Sequence, residues 1–304
     1  MTFEVHILGS SSATPIYQRH PTAQVLNIHE KLFLVDCGEG TLIQLNRYHV
    51  RFHRINHIFI SHLHGDHYLG LMGLMSTMHL QGRSEVLHLY CQPELKEMVD
   101  IQLLHSQTQL RYPVEYHFLD PKKAALIYED DDLVVHTIIL NHRIPCTGFL
   151  FREKPKLRKL IKEQLIHFNI PVNVYSNLKN GKDYIDEKGN LISNAELTTD
   201  PLTPRSYAFC SDTIYDESLV PVLKHVDLLY HESTFLSDKA DRARETFHST
   251  AAQAATIAKM AEVKRLIIGH FSARYKNLYP LLDEAREVFE NTTLAVEGDR
   301  FVVE

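Results

Sequence analysis

The chain has 304 residues, of which 44% are hydrophobic and 23% charged, with a formal net charge of −6 at pH 7. That composition is ordinary for a folded globular protein, and the length is enough for one large domain or two small ones. It holds no run near the roughly 20 apolar residues of a membrane span, no basic-then-apolar leader in Met1-Thr2-Phe3-Glu4-Val5, and no overall positive charge of the kind that marks whole-surface nucleic-acid binding.

Phe3–Leu8, Gln24–Ile28 and Leu32–Val35 read as strands, followed by a helix over about 40–48. The apolar run Ile58-Phe59-Ile60 reads as a buried strand and empties into Ser61-His62-Leu63-His64-Gly65-Asp66-His67. Imidazoles and a carboxylate crowded at the mouth of a buried strand are costly unless something organises them. A metal ion does so, because neutral imidazole and carboxylate are good zinc ligands. Residues two apart on an extended stretch share a face, so His62 and His64 can grip one ion. Asp66 and His67 follow the turn at Gly65 and can point at a second ion, in the two-metal hydrolytic arrangement with ions about 3.5–4 Å apart. A lone His-x-His would be weak grounds in a chain with 20 histidines, but the full His-x-His-x-Asp-His after an apolar strand is not.

Leu69–Met75 then reads as a buried helix with methionines packing the core. Val86–Cys91 is strand-like, and a helix starts at Pro93 and runs to about Leu104. Tyr116–Leu119, Ala125–Tyr128, Leu133–Leu140 and Thr147–Phe151 read as strands. Between Arg152 and Asp183 eight basic residues face three acidic ones, a local charge of +5 on an otherwise acidic chain. Residues 152–204, broken by Pro and Gly, read as an inserted arm in a single domain spanning 1–304. Beyond it, Tyr207–Cys210, Leu228–Tyr230 and Leu266–Ile268 are short apolar runs ending in Ser211-Asp212, His231-Glu232 and Gly269-His270. A helix over about 250–263 precedes the last. Strand after strand thus ends in a residue able to serve one site, as strand ends converge on ligands in layered α/β folds. Cys37, Cys91, Cys146 and Cys210 form no C-x-x-C pair and sit in or beside apolar runs, the pattern of reduced core residues in a cytoplasmic protein.

Several pieces together resemble the metallo-β-lactamase superfamily and, within it, the ribonuclease Z family. They are Asp36-Cys37-Gly38-Glu39-Gly40-Thr41, the Ser61–His67 segment, Asn141-His142, Ser211-Asp212-Thr213, His231-Glu232-Ser233-Thr234-Phe235, His248-Ser249-Thr250 and Gly269-His270-Phe271-Ser272-Ala273-Arg274-Tyr275. The resemblance implies an αβ/βα four-layer sandwich of two mixed sheets with outer helices. It implies a metal-dependent endonuclease that removes the 3′ trailer of precursor tRNA and leaves a 3′-hydroxyl. It further implies two zinc ions, a homodimer and no membrane. His62, His64 and His142 would hold one zinc, Asp66, His67 and His270 the other, and Asp212 would bridge them. Hydroxide generated between the ions would attack phosphorus, with Asp66 orienting it and accepting its proton. His248, positioned by Glu232, would protonate the leaving oxygen; His231 reads as an orienting hydrogen bonder.

Asp36 would fix a ligand histidine's tautomer, and Gly38 and Gly40 would let backbone pass close to the site. Arg274 and the arm's Lys156, Arg158 and Lys159 are candidate contacts to the RNA backbone. Three features depart from the family pattern: Tyr17 stands where a lysine is usual, Ser211 where glycine usually precedes the bridging aspartate, and Asn169-Ile170-Pro171-Val172-Asn173 where the arm often carries a Gly-Pro-rich tip. The runner-up reading is a related dizinc hydrolase of small phosphodiesters or sulfate esters. A metal-free RNA-binding relative comes last, since the resemblance finds ligands at all seven positions.

Overall fold

The computed structural model describes residues 2–304. Its first strands, β1 (Phe3–Gly9), β2 (Ala23–Ile28) and β3 (Lys31–Cys37), form an antiparallel meander. β2 and β3 are joined by only His29 and Glu30, both with positive φ (50° and 67°), as a two-residue hairpin loop of matching twist requires. After helix α1 (Thr41–Arg47) the chain switches to parallel pairing with β4 (Ile55–Phe59), β5 (Leu87–Cys91) and β6 (Val114–Phe118). Crossovers carry α2 (Gly65–Tyr68), α3 (Leu71–Leu80) and α4 (Pro93–His105). In α3 the buried residues are Leu71, Leu74, Met75 and Met78, one face of a helix, packed with Ile58, Leu87, Leu89 and Cys91 from the strands.

The opposite face of these strands packs on a second sheet. β7 (Leu126–Glu129), β8 (Leu133–Ile139) and β9 (Thr147–Glu153) begin it. Phe59 meets Phe149 and Phe151 edge-on, with ring centroids 5.3 and 5.5 Å apart, and Phe33 meets Phe151 at 5.9 Å. Such edge-to-face pairs stabilise beyond the area they bury. Tyr207, fully buried, donates its hydroxyl to Gln24 across the same layer.

Glu129–Val134 and Arg152–Pro204 form a separate compact unit; all the rest of the chain forms the other. The smaller unit pairs β10 (Lys159–Leu160) with β13 (Thr198–Thr199) and β11 (Tyr184–Ile185) with β12 (Leu191–Ile192). It also carries α5 (Lys162–His167), α6 (Tyr175–Lys179) and α7 (Asn194–Leu197) around Leu165, Ile170, Leu178, Ile192 and Leu197. Its charge differs from the +5 read over its first part. The whole unit carries nine Lys and Arg against eleven Asp and Glu. Some are paired internally: Lys154 lies 2.6 Å from Glu129 and Lys156 3.5 Å from Asp132, and Arg158 binds Asp200.

In the larger unit the chain continues through β14 (Ser206–Cys210), β15 (Leu228–Glu232), β16 (Arg265–Gly269) and β17 (Thr292–Leu294), all parallel, with α8 (Leu219–Leu223), α9 (Ala240–Thr246), α10 (Ala251–Met260) and α11 (Tyr279–Val288) between them. β18 (Arg300–Val302) returns to the first sheet beside β1, a long-range pairing with no local signal. The two sheets run β18-β1-β2-β3-β4-β5-β6 and β17-β16-β15-β14-β9-β8-β7. The helix expected over 250–263 is the shorter α10. It starts at a capping box, in which the Thr250 hydroxyl accepts from the Gln253 N–H and the Gln253 side chain accepts from the Thr250 N–H. All four cysteines are buried and unbonded. Among the described residues no helix is long and apolar enough to cross a membrane.

Thr250→Ala removes one side of that box. Chemical denaturation of the variant should show a loss of about 1 kcal/mol, the typical cost of deleting an N-cap hydroxyl.

Candidate metal centre

Loops at the ends of strands from both sheets meet at one place. Asp36, next to last in β3, has φ 56°, and His270, directly after β16, has φ 59°. Left-handed backbone is uncommon for residues other than glycine, and here both instances turn a side chain inward. The segment after β4 stays extended through His64 and then closes into α2, so Asp66 and His67 stand on a one-turn helix rather than in a turn. That helix lies close against the β3–α1 loop: a Cβ on Gly38 would fall 2.4 Å from the Asp66 carbonyl oxygen. Gly40, with φ 83°, starts α1.

Two groups of ligand atoms converge: His62, His64, His142 and Asp212 in one, Asp66, His67 and His270 in the other. The ring nitrogens face each other. His64 Nδ1 lies 3.0 Å from His62 Nε2 and 3.2 Å from His142 Nε2. Asp66 Oδ2 lies 3.3 Å from His270 Nε2 and 3.5 Å from His67 Nε2. Asp212 sits between the groups. Its Oδ2 is 3.5 Å from His62 Nε2 and 3.9 Å from His142 Nε2, and its Oδ1 is 3.2 Å from His270 Nε2 and 3.5 Å from His67 Nε2. Burial opposes ionisation of Asp212, but His270, His67 and His62 outweigh it and hold the carboxyl well below its usual range. His64 and His142 are pushed down to about 4, chiefly by burial, so they are neutral donors at physiological pH.

The far nitrogen of each imidazole is held from outside. His67 Nδ1 is 2.7 Å from Asp36 Oδ2, while Asp36 also accepts from the Ser61 N–H and hydroxyl at 2.8 and 2.9 Å. His62 Nδ1 meets the Ser61 hydroxyl at 3.0 Å, and His142 Nδ1 meets the Phe247 carbonyl at 2.9 Å. His270 Nδ1 lies 2.9 Å from the Thr234 hydroxyl, and His64 Nε2 3.3 Å from Arg143 Nη2. Metal-ligating histidines are oriented by such outer partners. The inward nitrogen of His67 is fully buried and has no hydrogen-bond partner. It faces Asp66 Oδ2 and Asp212 Oδ1, each at 3.5 Å, longer than a normal hydrogen bond but placed to share a cation with them. The donor set, all nitrogen and carboxylate oxygen, therefore fits a divalent transition metal at each group.

Beside the clusters a cavity of about 360 Å³ is lined by Ser12, Ala13, His64, Asp66, Arg143 and His248, among others. His248 Nδ1 contacts Glu232 Oε1 at 2.9 Å and lies 4.0 Å from Asp212 Oδ2. Burial works against a charged His248, but the Glu232 carboxylate outweighs it and raises the imidazole to about 9. Glu232 is fully buried and accepts from the Thr213 and Thr234 N–H groups at 3.1 and 3.0 Å. His231 joins neither cluster; its Nδ1 turns to the Glu232 carbonyl at 2.7 Å.

Ribonuclease Z of Bacteroides fragilis is 48% identical over 296 residues, covering 97% of both chains. Ribonuclease Z of Cytophaga hutchinsonii is 49% identical over 304 residues, 100% of this chain and 97% of that one. The chain belongs to the ribonuclease Z family. The crystal structure of human tRNase Z, short form, superposes with a TM-score of 0.71 at 27% identity, over 99% of each chain. A Bacillus subtilis metallo-β-lactamase fold protein, YhfI, at 17% identity and TM-score 0.69, shares the fold. A family described as Anti-Pycsar protein Apyc1 matches residues 3–151, which run from β1 into β9. The family is metal-binding and the fold is the two-sheet α/β sandwich expected of it.

Some contributors to this ribonuclease Z site carry little or no side-chain signal. The Phe247 carbonyl that holds His142 depends on a left-handed turn (φ 58°), and the Ala13 N–H that donates to Asp66 Oδ2 at 2.7 Å depends on another (φ 62°). Ser61 and Thr234 stand inside the motif pieces and Arg143 directly follows one, but packing sets the partners they take. Arg274 lies with its guanidinium 5.4 Å over the Phe235 ring. Asp36→Asn keeps the shape and removes the charge facing His67. Metal titration should show affinity lowered about 10–100-fold, the usual effect of losing an outer partner, with the fold intact by circular dichroism.

Proposed function

We propose that this chain removes the 3′ trailer of precursor tRNA by hydrolysing one phosphodiester, and that His62, His64 and His142, together with Asp66, His67, His270 and Asp212, would hold two zinc ions for it. The observation that carries the reading is Asp212, whose two oxygens face the two clusters separately. When bound, the ions supply positive charge to the phosphoryl oxygens and acidify water.

The remaining work falls to the protein. Asp66, fixed by the Ala13 N–H, orients the attacking water and accepts its proton. As the new P–O bond forms, the bond to the tRNA 3′-oxygen breaks, and that oxygen takes a proton from His248. Glu232 keeps His248 charged and aimed. The tRNA leaves with a 3′-hydroxyl and the trailer with a 5′-phosphate.

The unit around Arg152–Pro204 is the proposed grip on the tRNA backbone. Of the residues named for it, Lys156 and Arg158 engage Asp132 and Asp200, whereas Lys159 is exposed, as are Lys162, Lys179 and Lys182. These four lysines suit the phosphate backbone, and the acidic remainder of the unit limits binding to where they point. Arg274, in the larger unit, is a further contact to the RNA backbone. Ribonuclease Z relationship further supports a homodimer in the cytoplasm, with one subunit's arm presenting tRNA to the other's site.

Zinc-loaded protein incubated with a 3′-extended precursor tRNA should give a single cut just after the discriminator base. Failure to cut, alongside brisk hydrolysis of a generic phosphodiester, would move the assignment to a small-ester hydrolase. Asp212→Ala should lose metal and cleavage together, while His248→Ala should retain metal by mass spectrometry and slow kcat by about 10²–10⁴-fold. Replacing Lys159 and Lys162 together by Ala should raise KM for precursor tRNA and lower the slope of log affinity against log salt by about 2. Hydrolysis of the generic phosphodiester should be unchanged.

A further inference from the structure

Among the described residues, another group of metal-capable side chains lies outside the catalytic centre, on the inner face of the first sheet. His88 on β5 and Glu115 and His117 on β6 bring their ligand atoms within 4.8 Å of one another. Strand register explains why. His57, His88 and Glu115 stand in one row across β4, β5 and β6, and Tyr90 and His117 pair in the next. Aromatic stacking fixes the rings: His57 on His88 at 4.7 Å and 10°, and Tyr90 on His117 at 4.4 Å and 13°. β6 is the last strand of the sheet, so the cluster opens to solvent, and Glu115 is 57% exposed.

The spacing is that of ligands around a small ion. Donors about 2.0–2.1 Å from a tetrahedral zinc lie about 3.3–3.4 Å apart. Here His88 Nδ1 is 3.1 Å from His117 Nε2 and 3.3 Å from Glu115 Oε2. The corresponding separations in the catalytic clusters are 3.0, 3.2 and 3.3 Å. Two imidazole nitrogens this close share either a proton or a cation, and a carboxylate beside them favours the cation.

We propose that His88, Glu115 and His117 form a separate site for a divalent transition metal of the zinc class. Two imidazoles and one carboxylate suit such ions and not calcium or magnesium. Three protein ligands leave a fourth position to solvent. An ion there would tie the edge strand β6 to β5 through their side chains, so the site acts as a staple at the sheet edge. It is independent of the catalytic assignment, because none of its residues touches the central clusters.

The test is a metal count on the full chain. Wild type and a His88→Ala, His117→Ala double variant are dialysed against micromolar free zinc, and bound metal is measured by mass spectrometry. The wild type should hold one equivalent more than the double variant, whatever the cleavage assay gives. Glu115→Gln, a change at an exposed position that leaves folding intact, should weaken that extra equivalent by about tenfold or more. Equal counts in wild type and double variant, or zinc affinity unchanged in Glu115→Gln, would overturn the proposal and leave a hydrogen-bonded histidine pair.

Discussion

Four carboxylates, Asp36, Asp66, Asp212 and Glu232, are drawn out of bulk water at one end of the two sheets, three of them almost completely. Removing a carboxylate from water costs several kcal/mol even after relaxation, unless opposite charge and hydrogen bonds replace the lost hydration. The rest of the site is arranged around that cost. Six imidazoles surround the two inner carboxylates. Asp36 and Glu232, one layer out, accept backbone N–H groups from Ser61, Thr213 and Thr234. The orphaned inner nitrogen of His67 shows that protein groups alone do not complete the arrangement. A divalent cation held there would sit among these ring nitrogens and carboxylate oxygens.

The fold makes such a concentration tolerable by placing each group on a separate rigid strand end. β14, β15 and β16 are parallel, so Asp212, Glu232 and His270 leave the sheet at the same edge. β3 and β4 do the same for Asp36 and the His62–His67 segment. Between the sheets, interlocked Phe33, Phe59, Phe149 and Phe151 fix the spacing of the two edges. Packing at crystal-like density transmits small shifts rather than absorbing them. Side chains aimed from that frame meet at hydrogen-bonding distance across more than 200 residues of sequence, as His270 and Asp66 do.

The smaller unit follows a different logic. Its buried core is five aliphatic residues with Phe168, Tyr175 and Tyr184 packed against them, and polar contacts add to it. Buried Asn194 donates to the carbonyls of Leu178 and Lys182, and Arg158 bonds Thr198 and Asp200. Cations engaged in this way help to build the unit. Exposed lysines on a nearly balanced body give a directional rather than a general attraction for a polyanion.

The sequence by itself determined the chemistry: the His-x-His-x-Asp-His segment after an apolar strand, the acidic and histidine residues at later strand ends, and most strands of both sheets. Those features are local, because apolar runs and turn residues act within a few positions. It did not reveal α11, β17 or β18, whose short apolar patterns gain meaning only from the sheets they complete. Nor did it reveal which nitrogen of each histidine faces inward, or that the Phe247 carbonyl and the Ala13 N–H take part. Backbone groups have no side-chain identity to read, and the left-handed turns that aim them are chosen by packing. The charge read from one stretch of the arm changed sign once Glu129–Val134 was seen to fold with it. What only the tertiary structure decided, then, was proximity. Asp212 faces two clusters because β14 is fixed between β9 and β15, and no local rule carries that distance.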